Sequence, residues 1–148
     1  MDAIDHRIIA ELRKDGRLTN QDLADRVGLS PSPCLRRVRR LEAEGIISGY
    51  TARVDLRKYG LPVAAYVRLR LSKHGDTRGI EERLAGIDQV QECYLMAGDH
   101  DFLLRVAVDS IDGYERFLRE HLHGIADVSS IETNFVMSTV KETGPLPR

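Results

Sequence analysis

The 148-residue chain has no run of about 18 apolar residues, so no segment of it reads as a membrane-spanning helix. Its first residues, Met1-Asp2-Ala3-Ile4-Asp5, are acidic and lack the apolar stretch of a signal peptide, so a cytoplasmic location is expected. There are two cysteines, Cys34 and Cys93, with no C-x-x-C pair, which argues against both a zinc site and a disulfide framework. Five prolines and twelve glycines are too few for a disordered tail. No Ser-His-Asp arrangement, phosphate loop or pair of catalytic carboxylates stands out, so no enzyme is expected. His6, His74, His121 and His123 bear no spacing relation to Asp99-His100-Asp101, and His121 and His123 lack the i, i+4 spacing that shares a helix face. No metal is expected.

What is present is a basic helix in a distinctive setting, between Thr19 and Gly45. Thr19 is a good N-cap, and Asp22 three residues on completes a capping pattern. Leu23, Ala24 and Val27 follow at helical spacing, and Gly28 suits a C-cap. After a four-residue break, Ser30 caps a second helix with Pro31 at its first position, where a missing N–H costs nothing. That helix runs to Glu44. Cys34, Leu35, Val38 and Leu41 form its apolar back; Arg36 and Arg40 lie opposite, flanked by Arg37 and Arg39. Ser30, Ser32 and Pro33 sit at its tip. This is the pattern of a helix-turn-helix, whose second helix enters the major groove of double-stranded DNA. A solvated amphipathic helix has the same alternation; the four-residue turn and the nearly all-arginine front favour DNA.

The net charge of −1 conceals a division. Residues 1–60 hold 12 Lys and Arg against 9 Asp and Glu, and the remainder hold 10 against 14. A basic first half and an acidic second half suit a nucleic-acid module joined to one that does not touch nucleic acid. The expected domains are 1–60 and 61–148. Asp5 to Lys14 reads as a first helix, Gly45 to Val54 as a strand or small wing, and Asp55 to Leu61 as a connector. Val63–Leu71 alternates as a half-buried strand. A helix from Thr77 to Ala85, strands from Val90 to Met96 and from Phe102 to Val108, a helix capped by Ser110 and a last strand from Ser129 to Val140 complete a βαββαβ order. The fold class is α+β: a winged helix-turn-helix and a ferredoxin-like sandwich domain. Two helices cover one face of a four-stranded sheet. The other face, with Tyr66, Tyr94 and Met96, is expected to be buried in a dimer.

The strings I-D-H-R-I-I-A-E-L-R-K-D-G-R, L-A-D-R-V-G-L-S-P-S-P-C-L-R-R-V-R-R-L-E-A-E-G-I-I-S-G-Y, L-M-A-G-D-H-D-F-L-L-R-V and V-K-E-T closely resemble the Lrp/AsnC family of transcription regulators. The resemblance covers nearly the whole chain. It implies an amino-acid-responsive, sequence-specific DNA-binding regulator whose dimers assemble further, often to octamers, through a RAM domain. It also implies an amino acid effector bound near the turn Gly98 to Asp101. Met96, Gly98, Asp99, Asp101, Asn134, Phe135 and Val136 are then candidate effector residues, with Asp101 facing the ligand ammonium. From the residues alone that turn is a plain β-turn. His100 stands where relatives often carry an aromatic residue. Two alternatives are a nucleoid-type architectural protein and an enzyme like the siroheme decarboxylases. The basic recognition helix argues against the enzyme.

Overall fold

The computed structural model describes residues 1–72 and 77–142; His74 and Thr143 lie outside them. The chain divides into two compact units, Met1–Arg53 with Lys141 and Glu142, and Val54–Val140. The seam falls at Arg53, before residue 60.

The first unit holds three helices, α1 (Ala3–Lys14), α2 (Asn20–Val27) and α3 (Pro31–Ala43). Helix α1 starts at Ala3, two residues before the expected Asp5, because Asp2 caps it in a reciprocal box with Asp5. Thr19 caps α2 by accepting from the Asp22 N–H, and Gly28 ends it at φ 73° in the left-handed region. Ile8, Leu23, Ala24, Val27, Cys34 and Leu41 are fully or almost fully buried, with Ile4, Leu12, Val38 and Ile47 packed around them.

Two expectations fail here. Leu35 is 37 % exposed rather than part of the apolar back. At roughly 100° per residue it lies about 90° from the Cys34–Val38–Leu41 centre, too far round to reach the core. Residues 45–54 form no strand. Their β-branched and aromatic content suits one, but a strand needs a hydrogen-bonded neighbour, and the segment instead folds back on α3. The Ile46 and Ile47 N–H groups both donate to the Leu41 carbonyl, at 2.9 and 3.1 Å, and the Tyr50 hydroxyl bonds Glu42.

The second unit begins with a short helix, α4 (Leu56–Tyr59), where a connector is expected; Asp55 caps its start and Gly60, at φ 105°, its end. Then follow β1 (Val63–Leu71), α5 (Arg78–Ala85), β2 (Val90–Leu95), β3 (Phe102–Val108), α6 (Ile111–Phe117) and β4 (Val128–Phe135). The sheet is antiparallel in the order β2-β3-β1-β4. Alternation in β1 is as expected: Ala65, Val67, Leu69 and Leu71 face the core and Tyr66, Arg68 and Arg70 do not. Phe102, Leu104, Val106, Phe117, Leu84 and Leu122 are the fully buried centre. Helix α6 passes directly into a π-helical turn, Leu118–Leu122. The last strand stops at Phe135, five residues before the expected Val140. Val136 still donates to the Ala64 carbonyl, 2.9 Å away, but β1 begins one residue further on, at Val63, so the ladder between the two strands ends here.

Both cysteines are free thiols. Burial pushes each thiol up, so neither is a thiolate at neutral pH.

Candidate DNA interface and effector depression

Helix α3 carries its arginines on three different footings. Arg36 and Arg39 are exposed and make no ion pair among the described residues. Arg37 donates through Nη1 to Asp2 Oδ2 at 2.7 Å and to Asp5 Oδ1 at 2.8 Å. Arg40 donates through Nη2 to Asp5 Oδ2 at 2.6 Å, and its Nε lies 3.7 Å from Glu44. The Asp5 side chain, 1 % exposed, sits between the two guanidiniums. Burial raises its pKa, but the Asp2 N–H and the two guanidiniums outweigh that and hold it below the ordinary value. The Asp5 N–H and the Arg37 guanidinium hold the Asp2 carboxyl at about 2.

The helical wheel explains the division. Arg37 stands only about 70° from the buried centre and Arg40 about 130°, both on the side that meets α1; Arg36 and Arg39 point away. The Asp5 pairing is 32 and 35 positions long in sequence. The acidic residue in the first turn of α1 was its visible trace, but capping accounts equally well for an acid there. At the tip of α3, Ser30 makes no side-chain capping bond, Ser32 is exposed and Pro33 half-buried. Asn20 Nδ2 donates to the Pro31 carbonyl at 2.9 Å, tying the start of α2 to the start of α3.

In the second unit, a depression of about 150 Å³ is lined by Arg68, Met96, Ala97, Asp99, His100, Phe102 and Leu103. It contains Met96 and Asp99 of the expected effector residues, beside Gly98 at φ 137°. Only a residue without a side chain readily holds that backbone. Asp101 does not line it. Its N–H donates to the Leu69 carbonyl and its carbonyl accepts from Met96, both at 2.8 Å. Its Oδ2 accepts from the Leu71 N–H at 2.7 Å. Asp101 therefore closes the end of the β1–β3 ladder. Asn134, Phe135 and Val136 stand apart: Asn134 and Phe135 pair with Tyr66 and Ala65, and Val136 with Ala64, about 13 Å along β1 from Arg68. Arg68, Ala97, His100, Phe102 and Leu103 were missed as lining residues. Strand alternation places Arg68 and Leu103 side by side on the open face, a signal available only once register is known.

Around the depression the open face is polar and cross-linked. Arg68 pairs with Glu132 at 2.8 Å and Arg105 with Glu92 at 3.1 Å. His100 Nε2 lies 3.4 Å from Glu132. Tyr66 and Tyr94 stand partly exposed among them. Among the described residues, no group of three or more His, Cys, Asp or Glu could hold a metal ion.

Comparison with known proteins agrees across both units. Residues 1–48 match the family described as winged helix-turn-helix DNA-binding, and residues 64–146 match the Lrp/AsnC ligand binding domain. The leucine-responsive regulatory protein of Salmonella typhimurium is 40 % identical over 99 % of this chain and 90 % of its own length. That of Escherichia coli is 38 % identical with the same coverage. A transcriptional regulator from Neisseria meningitidis, solved as a complex with L-Met, superposes with a TM-score of 0.93 at 32 % identity, covering 99 % of this chain and 96 % of that one. An AsnC family regulator from Agrobacterium tumefaciens gives 0.92 at 34 %, covering 99 % and 97 %. With an arginine-rich second helix of a helix-turn-helix in one unit and a ligand-binding sheet domain in the other, the chain belongs to the Lrp/AsnC family of transcription regulators.

Proposed function

We propose that this regulator responds to an amino acid bound at the depression between Met96 and Leu103, and that the response is transmitted through assembly of copies. The observation that carries this reading is the coexistence, in one chain, of an exposed arginine front on α3 and a depression built on the Lrp/AsnC ligand binding domain. The relative from Neisseria was solved with L-Met, and several others are named for leucine; an amino acid is the ligand class favoured here.

At about 150 Å³ the depression is smaller than a typical ligand site of about 300–1,000 Å³. A second copy closing over it supplies the missing wall. Asn134, Phe135 and Val136 would then reach the ligand from that copy, since in their own chain they lie about 7 to 13 Å along β1 from Arg68. The Asp99 carboxylate is exposed and has no ion pair among the described residues, so it is a better partner for a ligand ammonium than Asp101. Main-chain N–H groups around Gly98 would take the ligand carboxylate. The open sheet face with Tyr66 and Tyr94 would bury itself against its twin in the dimer. Each dimer would present two α3 helices to successive major grooves, with phosphate contacts making binding salt-dependent.

Thermal-shift screening of the twenty amino acids identifies the effector, because a ligand that prefers the folded assembly raises its melting point. DNA affinity and light scattering with and without that ligand then test the response. Asp99→Asn should weaken the response while leaving DNA binding by the free protein intact. Asp101→Ala should instead destabilise the sheet domain. No shift with any amino acid, or an unaltered response in Asp99→Asn, would overturn this assignment.

A further inference from the structure

Four arginines within five positions, Arg36, Arg37, Arg39 and Arg40, look interchangeable as a basic front, and the structure says they are not. Arg37 and Arg40 face three carboxylates, Asp2, Asp5 and Glu44, which more than neutralise them. Asp5 is the centre of this cluster. Its two oxygens accept from Arg37 Nη1, Arg40 Nη2 and the Asp2 N–H, at 2.6 to 2.9 Å. Asp2 in turn accepts from the Ile4 and Asp5 N–H groups through Oδ1 and from Arg37 through Oδ2. The same two residues that cap α1 thus grip α3. We propose that Asp5, assisted by Asp2, is the positioning residue of the recognition helix: it withholds Arg37 and Arg40 from DNA phosphates and leaves Arg36 and Arg39 as the cations DNA meets.

The physical reason is the cost of exchange. To move onto a phosphate, either guanidinium must leave a carboxylate that is 1 % exposed. Asp5 is the buried member of these pairs, while Arg37 and Arg40 keep 25 % and 46 % of their side-chain exposure; withdrawing either guanidinium takes a partner from a carboxylate that water does not reach, which is unfavourable. Arg36 and Arg39 have no such bond to break. Held arginines also stiffen α3 against α1, fixing the angle at which the exposed pair arrives. Four free arginines would strengthen binding to every sequence alike, since phosphate contacts carry no sequence information. Withholding two of them lowers that background and so raises the share of affinity that comes from base edges.

This inference rests on the reading of α3 as the DNA-facing helix, and one experiment separates the two. The probe is a short random-sequence duplex, with affinity of the full chain measured at several salt concentrations. Each phosphate contact contributes close to one to the slope of log affinity against log salt. Arg36→Gln and Arg39→Gln should each reduce the slope by about one per engaged recognition helix. Arg37→Gln and Arg40→Gln should leave it within error. Asp2→Asn keeps the cap acceptor but removes its charge; with Arg37 partly released, the slope should steepen and random-sequence affinity rise. Asp5→Asn should do the same more strongly, with circular dichroism reporting whether it folds. A slope reduced by Arg37→Gln as much as by Arg36→Gln would overturn the inference while keeping α3 on DNA. So would an unchanged slope in Asp2→Asn. A slope unmoved by Arg36→Gln and Arg39→Gln as well would overturn the assignment of α3 itself.

Discussion

The two units put their charges in opposite places. In the helical unit a carboxylate is buried under the working surface, and the arginines nearest to it are occupied. In the sheet unit no charged side chain is buried among the described residues, with Phe102, Leu104 and Phe117 at the centre of the core, and the ion pairs Arg68–Glu132 and Arg105–Glu92 lie on the open face. A three-helix unit has a small core, so a buried charge can orient one helix on another where few apolar contacts are available to do so. A four-stranded sheet under two helices already fixes its geometry by register and packing. Its charges are free to sit where a second copy or a ligand would meet them. The first unit thus holds a charge in its interior, and the second keeps its charges on the open face of the sheet.

Four experiments would break or sharpen that contrast, from the largest effect to the smallest. Phe102→Ala should cost about 3–5 kcal/mol in the sheet unit, since a fully buried ring leaves a cavity. Chemical denaturation followed by NMR of β1 and β3 residues measures it. A loss below about 1 kcal/mol would mean that the apolar core is not what holds the sheet unit. Arg36→Ala should weaken binding to a specific operator by about 1–3 kcal/mol if its guanidinium reads a base edge. The loss on random DNA, where Arg36 meets only phosphate, should be smaller; equal losses would mean that it reads no base edge on the operator either.

Acid provides the third test. Asp2 and Asp5 both titrate lower in the folded chain than in the unfolded one, Asp2 at about 2 instead of 3.8. The unfolded chain therefore binds protons more readily as pH falls. The stability these carboxylates contribute is complete above about pH 4 and declines as pH drops towards 2. Hydrogen exchange at Leu23 and Val27 should reveal that decline in the helical unit, and Asp2→Asn should flatten it. An unchanged acid profile in Asp2→Asn would deny the cluster its role. The smallest effect compares two caps. Thr19 accepts from the Asp22 N–H, whereas Ser30 makes no side-chain capping bond. Thr19→Ala should cost about 1 kcal/mol, and Ser30→Ala should stay within about 0.5 kcal/mol. Equal losses would put a capping bond at Ser30 in solution.

Much of this architecture was written in local signals. Thr19, Gly28 and Ser110 mark helix ends because their roles involve residues within four positions. Alternation in Val63–Leu71 and Phe102–Val108 identifies strands because one face of the sheet must be apolar. What depends on distant partners was not legible. Residues 45–54 have strand-forming composition, but no strand pairs with them among the described residues. The end of β4 is set by where β1 begins. Arg37 and Arg40 look like solvated charges until α1 brings Asp5 beneath them. The candidate effector residues divided for the same reason: Met96 and Asp99 come together with Arg68 and His100 through sheet register, while Asp101 is taken up by the β1 backbone.

The π-helical turn after α6 has a consequence for how the chain tolerates change in length. Phe117 and Leu122 are five positions apart, yet both are almost wholly buried. On a regular α-helix residues so spaced would diverge by about 140°; the wider turn over Leu118–Leu122 absorbs one surplus residue and returns Leu122 to the core. Removing one exposed residue here, Arg119 or Glu120, would leave the two anchors four apart, the spacing of an ordinary helical turn. This is therefore a place where the chain could lose a single residue without disturbing the core, whereas the same deletion in the middle of β1 would turn every following side chain of that strand to the wrong face.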